Sequence, residues 1–236
     1  MFGNLRVGVV IPALDEERNI GAVVSSLLAL EARDGRIVDD LVVCDNGSTD
    51  ATAAVAQEAG ARVVAQAVPG YGIACLTALR ALRAVDVVLF VDGDQSCLVR
   101  QSEDLLAAIA AGADLAIGSR VLGKMERGSL SLPQRAGNRV ASLMILALWR
   151  HRITDLGPFR AIRAEALQRI DMRDKAYGWT VEMQVKAIRD GLRIVEVPVD
   201  SIRRKHGESK VGGTLKGVIG ASIGIVSTIL KLRLGF

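Results

Sequence analysis

Asp92 and Asp94 stand one residue apart, with Gly93 between them, directly after the apolar run from Val87 to Val91. Two carboxylates so close repel one another, and a strand end has little reason to gather them unless something positive faces them. A hard divalent cation meets that requirement. Mg²⁺ or Mn²⁺ commonly takes one or two carboxylates and completes its shell with phosphate oxygens, so a diphosphate-bearing ligand is implied with the metal. Such an ion would stabilise charge on a departing diphosphate, and Gly93 lets the backbone turn tightly between the two acids. A lone acidic turn is common on protein surfaces. This one has company: Asp15 and Glu16 follow the β-branched run "VGVVIPA", and Asp45 ends another, "DLVVCD".

The elements that must position these acids alternate regularly. "EERNIGAVVSSLLAL", "DATAAVAQEAG", "GIACLTALRAL" and "SEDLLAAIAAG" carry apolar residues at helical spacing. Between them, "ARVVAQ", "DVVLFVD" and "ADLAIGS" join the two strands already named. Repeated βα units with nearly continuous apolar strands predict a mostly parallel sheet covered by helices on both faces. Ligands bind outside the carboxyl ends of such strands, so the three acidic tips should meet at one edge. Of the 236 residues, 50% are apolar and only 3% aromatic, which makes the expected core one of Val, Ile, Leu and Ala. In Asp45-Asn46-Gly47-Ser48-Thr49-Asp50, Asn-Gly favours a turn and Ser48 or Thr49 could cap the next helix.

The second half is less periodic. "RAGNRVASLMILALWR" reads as a helix apolar almost all round, "GPFRAI" as a strand and "TVEMQVKAIRDG" as a helix ended by Gly191. "LRIVEVPVDSI" reads as a strand pair interrupted at Pro198. No linker or internal repeat divides the chain, so one domain is expected. Cys44, Cys75 and Cys97 have neither disulfide-framework nor zinc-site spacing, which fits a reducing compartment. Residues 200–236 hold seven Lys or Arg against two acids while the whole chain is +4, so the basic character belongs to the tail. "PGYGIAC" lacks the third glycine of a dinucleotide fingerprint and follows a later strand, which argues against a nicotinamide cofactor.

The ordered set "VVIPALDEERNI", "LVVCDNGSTDAT", "GYGIACLTAL", "VLFVDGDQS" and "ADLAIGSR" resembles the nucleotide-sugar half of glycosyltransferase family 2, the GT-A fold. "TDLGPFRAIR", "YGWTVEMQVKA", "VEVPV" and "RRKHGESKV" extend the resemblance to its polyprenyl-phosphate branch, which includes dolichyl-phosphate mannose synthase. The resemblance implies an α/β, Rossmann-like GT-A domain over residues 1–236. Residues 1–120 would bind the nucleotide sugar, 121–210 the acceptor, and 211–236 would form a basic, apolar, amphipathic tail. It implies an inverting transfer from a UDP- or GDP-sugar to a polyprenyl phosphate or other lipid. Pro12, Asp15 and Glu16 would line the nucleoside pocket, Asp45 would accept from the base, and Gly72 and Lys210 would lie near the donor. Asp92 and Asp94 would hold the metal and diphosphate. The branch often reads DxDxQ; here Gln95 comes one place early, with Ser96 where glutamine is expected, so Gln95 is a metal ligand only by displacement.

On the acceptor side the resemblance implies that Arg120, Arg135 and Asn138 hold a phosphate, joined by Arg203 and Ser209 from the tail cluster of Arg203, Arg204, Lys205, His206, Ser209 and Lys210. Arginine forks and helix N-termini both suit phosphate. A phosphate acceptor needs no strong base, whereas a hydroxyl does; Asp155 is then the first candidate. Glu182 is second, though its spacing to Lys186 also fits a surface salt bridge. The uncharged run 217–230 is too short to span a bilayer. With its basic ends, and with the helix around Leu143–Trp149, it could lie at the inner face of the cell membrane or pack on the domain or a partner subunit, as in a homo-oligomer. No signal peptide precedes the first strand, a cytoplasmic location is expected, and nucleic acid is not an expected partner. Two other classes stay open. A sugar-1-phosphate nucleotidyltransferase would want a basic Gly-rich loop where "IPALDEERN" is acidic, and a non-catalytic nucleotide-sugar-binding module would bind the donor without turnover.

Overall fold

A chain with β-branched runs every twenty to forty residues builds its sheet first and its site at the sheet's edge. The computed structural model describes residues 1–32, 35–207 and 215–235. The elements run β1 (Val7–Ala13), α1 (Glu17–Leu28), β2 (Glu31–Ala32), β3 (Gly35–Arg36), β4 (Val38–Asp45), α2 (Thr52–Glu58), β5 (Arg62–Ala65), α3 (Tyr71–Ala81) and β6 (Val87–Phe90). They continue α4 (Ser102–Ala110), β7 (Leu115–Ser119), α5 (Leu132–Trp149), β8 (Arg160–Arg163), α6 (Ala164–Ile170), α7 (Trp179–Arg189), β9 (Ile194–Pro198) and α8 (Leu215–Leu234). Seven strands form one sheet in the order β5-β4-β1-β6-β8-β7-β9, and only β8 runs antiparallel to its neighbours.

The strands alternate their apolar side chains between two helical layers. Val9, Ile11 and Leu89 face α1 and α4, packing with Leu27 and Leu105. Val10, Phe90 and Ile162 face α3 and α7, where Trp179 meets Phe90 edge-on at 6.0 Å. A third cluster lies away from the sheet, between α5, α7 and α8, around Ile145, Val181 and Ile229. This cluster determines the fate of the tail. Residues Leu215–Leu234 form a helix because Ile229 and Leu232 bury themselves against α5 and α7, while Ile223, Leu230 and Leu234 stay exposed.

Three local expectations change. The strand pair around Pro198 is a single strand: the Val199 N–H still reaches Ser119 O at 3.1 Å, and beyond it Ser201 makes only isolated bridges to Cys97 and Met125. Ser48 and Thr49 do not cap α2. Asp50 stands closer, taking the Thr52 N–H at 3.0 Å, while Ser48 and Thr49 tie back to Asp15. α6 and the β2–β3 hairpin were not foreseen, being only seven residues and two short bridges.

Leu89 is fully buried in β6 at the centre of the sheet. Leu89→Ala should cost about 3 kcal/mol through lost burial and the cavity left behind. The check is a urea midpoint that falls while the slope of the transition is kept.

Candidate active site

Because β1, β4 and β6 are mutually parallel, their carboxyl ends open on the same side. In register, Ala13 lies beside Asp45 and Val10 beside Phe90. Above those ends is a cavity of about 1410 Å³, beyond the ~300–1,000 Å³ of ordinary small-molecule clefts. Pro12, Glu16, Asn46, Asp92 and Asp94 form its acidic floor, and Gly118 and Arg120 from the end of β7 face them.

The positive partner that Asp94 requires comes from far along the chain. The Arg204 guanidinium bridges two strand tips, meeting Glu16 Oε1 at 2.8 Å and closing directly on Asp94 Oδ2. All three side chains are largely buried. Asp94 also accepts the Ser96 N–H at 2.9 Å, which fixes the tight turn after β6. Asp92 is half-buried on the cavity floor and accepts the Tyr71 hydroxyl at 2.9 Å. Burial, reinforced by the neighbouring Asp94 charge, pushes its pKa up to about 7 despite that hydrogen bond. A carboxylate in this state is short of positive charge. Behind it, Arg160 is fully buried and donates to Gly157 O, Leu156 O and Thr180 O; burial drives its own pKa down to about 10.

Asp15 and Asp45 serve the rim. Asp15 has φ +49°, accepts the Thr49 N–H at 2.8 Å and donates its own N–H to Ser48 Oγ, so the β1–α1 and β4–α2 turns lock together. Asp45 Oδ1 accepts the Ser48 N–H at 3.1 Å. Neither lines the cavity; the adjacent Asn46 does, and its amide staples the 66–70 loop through Gln66 O, Val68 O and the Gly70 N–H. Asn46 was missed because its role depends on a loop twenty residues away. Gly72, read as giving a donor close access, instead admits the chain itself: a Cβ there would stand 2.1 Å from Asp174 O.

On the acceptor side, Arg120 and Asp155 form a buried pair. Arg120 Nε and NH2 each reach the carboxylate at 2.7 Å, and the Arg120 N–H adds a bond at 2.8 Å. Burial alone would lower the Arg120 pKa; Asp155 outweighs it, and the net shift is upward. Asp155 is 1% exposed and outside the cavity lining, so both its oxygens hold Arg120 in place. Asn138 reaches the cavity but spends its amide on Thr154 O and the Leu156 N–H. Arg203 lies at the rim, exposed, with its N–H on Glu126, while Arg135 is exposed on α5 outside the lining. Glu182 faces away from the cavity, and its Lys186 contact is buried rather than superficial. Ser209 and Lys210 lie outside the described residues.

The donor set tests a divalent ion directly. Among the described residues no three His, Cys, Asp or Glu side chains assemble as a metal cage. Asp92 and Asp94 do present hard oxygens into one cavity, which fits a cation that takes the rest of its shell from a diphosphate and water. Gln95 does not join them: with φ +58° its side chain turns toward α1, its amide nitrogen 3.4 Å from Asn19 O, outside the cavity lining.

Removing one member of a buried ion pair leaves the other uncompensated. Arg204→Met, which leaves Glu16 and Asp94 facing one another, should lower stability by about 3 kcal/mol in the absence of added cations. Thermal unfolding in chelator measures it; an unchanged midpoint would show that Arg204 is not the counter-charge.

A sequence profile of glycosyl transferase family 2 matches residues 8–171. The chain is 32% identical over 235 residues to a dolichyl-phosphate hexose transferase of Haloferax volcanii, covering 97% of this chain and 96% of that protein. It is 31% identical over 233 residues to an undecaprenyl-phosphate mannosyltransferase of Micrococcus luteus, covering 93% and 91%. Among solved structures, a glucosyl-3-phosphoglycerate synthase from Mycobacterium tuberculosis, in complex with Mn²⁺, UDP-glucose and phosphoglyceric acid, superposes with a TM-score of 0.78 at 26% identity, covering 99% of this chain and 81% of that one. With its mostly parallel seven-stranded sheet, three acidic strand tips and a profile match across most of its length, this chain belongs to glycosyl transferase family 2 and has the GT-A fold.

Proposed function

We propose that this protein transfers a sugar, with inversion, from a UDP- or GDP-sugar to a polyprenyl phosphate. One observation carries the reading. The cavity that holds Asp92 and Asp94 is also lined by Leu130, Val140, Ala141, Leu156, Ile225 and Val226, which we read as an apolar corridor. A small phosphorylated acceptor has no use for an apolar corridor; a phosphate carrying a long hydrocarbon tail does. The names of two relatives support the same acceptor class.

In this mechanism Pro12, Glu16 and Asn46 would shape the nucleoside end, with Asp15 and Asp45 behind them at the rim, and Asp92 and Asp94 would hold a divalent cation that serves the donor diphosphate. When bound, that ion supplies positive charge to the departing diphosphate. Arg120, pre-aimed by Asp155, and Arg204, seated between Glu16 and Asp94, present guanidinium groups at the polar end of the corridor. Their positive charge suits an acceptor phosphate, while both forks grip carboxylates that hold them in place. A phosphate monoester is already ionised near neutral pH, which agrees with Asp155 being committed to Arg120 instead of poised as a base. Asn138 and Arg203 line the cavity in supporting positions, Arg135 stays outside the lining on α5, and Ser209 would serve the acceptor phosphate and Lys210 the donor.

Leu132, Val140, Leu143 and Leu146 of α5 and Ile223, Leu230 and Leu234 of α8 are exposed, with Arg135 and Arg139 on α5 and Arg150 at its end. Among the described residues no helix is long and apolar enough to cross a membrane. An exposed apolar face with basic residues fits the headgroup zone of an anionic leaflet, which would present a lipid acceptor to the corridor directly.

A panel of UDP- and GDP-sugars with Mn²⁺, offered undecaprenyl phosphate, dolichyl phosphate or 3-phosphoglycerate, tests the assignment. Sugar should pass to a polyprenyl phosphate, and Asp94→Asn should lower turnover at least about tenfold. Transfer to phosphoglycerate alone would replace the acceptor, and donor binding without any transfer would indicate a binding module. Flotation with phosphatidylglycerol vesicles should recover the protein, and Leu143→Glu with Leu146→Glu should release it. Equal recovery of the double variant would remove the membrane face.

A further inference from the structure

Glu182, a candidate base or surface partner by sequence, has a different occupation. Its buried carboxylate accepts the Arg173 N–H at 3.0 Å and the Asp174 N–H at 2.7 Å, with Lys186 Nζ at 2.8 Å alongside. The segment so anchored closes the start of α3: Ile73 N–H donates to Lys175 O at 3.0 Å and Gly72 N–H to Ala176 O at 3.2 Å. Contact is close enough that a Cβ on Gly70 would lie 2.3 Å from Lys175 O. Between those two glycines stands Tyr71, whose hydroxyl holds Asp92.

The far side of the same segment rests on α8. The Thr228 hydroxyl donates to Asp174 Oδ2 at 3.3 Å. The Tyr177 side chain lies over Gly220 and Gly224, where an added Cβ would come within 3.3 Å of the ring and 3.2 Å of Tyr177 Cβ, respectively. The helix that makes these contacts also supplies Ile225 and Val226 to the apolar corridor.

We infer that residues 173–177 form a strut through which α8 sets the orientation of Asp92, with Tyr71 and Thr228 as positioning residues at its two ends. This rests on the reading of Asp92 as holding the donor diphosphate through a cation. The links run through hydrogen bonds of 2.7–3.3 Å and close glycine contacts, so a shift of α8 against its packing reaches the carboxylate through discrete contacts. The site that receives the donor is thereby tied to the wall that meets the acceptor's tail.

The test uses the full chain, with Mn²⁺ plus UDP or GDP as calorimetric probes and initial rates against donor and acceptor. Tyr71→Phe removes only the hydroxyl and should weaken Mn²⁺-dependent nucleotide binding about tenfold. Thr228→Val should weaken it about threefold and raise the donor KM while leaving the acceptor KM unchanged, although Thr228 lies on the acceptor-side helix. Thr228→Ser should restore both, and the unfolding midpoint of Thr228→Val should drop by no more than about 4 °C. Wild-type nucleotide binding in Thr228→Val, or a change confined to the acceptor KM, would overturn the strut. Asp94→Asn separates the two levels. If it abolishes Mn²⁺-dependent binding while Thr228→Val has no effect, only the strut fails; if it too binds like wild type, the diphosphate reading fails with it.

Discussion

The site is organised by electrostatic crowding. Parallel strands bring Glu16, Asp92 and Asp94 to one edge of the sheet, where Glu16 and Asp94 are buried and Asp92 half-buried, so their repulsion is poorly screened. The chain compensates in layers. Arg204 lies between two of the acids, Arg120 faces them across the cavity and is itself neutralised by Asp155, and Arg160 lies behind them bonded only to carbonyls. This arrangement explains why the chain must return after β9 to the tips of β1 and β6: Arg204 is 188 residues from one partner and 110 from the other. A guanidinium in that position also holds Glu16 and Asp94 in place, so the floor of the cavity is shaped before any ligand arrives.

The same cavity joins two environments of opposite character. Its floor is charged and ordered by hydrogen bonds, while its far wall, between α5 and α8, is aliphatic and backed by its own small core around Ile145 and Ile229. Glycines make the junction possible. Gly70 and Gly72 let the 174–176 backbone press against α3, and Gly220 and Gly224 receive an aromatic ring. Side chains at those four positions would force the two environments apart.

Where the sequence was legible, local physics decides the outcome. A buried parallel strand needs a continuous apolar run, and an acid just past its end must lie at the ligand edge, so Asp92, Asp94 and Glu16 were readable directly. Legibility ended where tertiary contacts choose among equals. Arg203 and Arg204 are neighbours of identical chemistry; the backbone turns one outward to the rim and the other inward to Asp94. Asp155 looked like a free acid because its arginine is 35 residues away, and Gln95 looked like a ligand until its left-handed backbone turned it toward α1. Tyr71, Asn46 and Glu182 act through loops that no periodicity announces. α8 was underestimated for a related reason: its glycines weaken an isolated helix, yet they are what lets it fit against Tyr177.

The strand that runs against the others has a consequence for how the molecule comes into being. β8 lies between β6 and β7, with Phe90 paired to Arg160 and Ile117 paired to the same residue from the other side. The ladder joining β5, β4, β1 and β6 to β7 and β9 therefore cannot close until about forty further residues, including the whole of α5, have been made. During synthesis β7 would wait with an unzipped edge, beside a hydrophobic helix that has not yet found its partners. Such a nascent chain exposes backbone and oily surface at once, so its passage from ribosome to finished sheet is the stage most open to aggregation or to rescue by a chaperone.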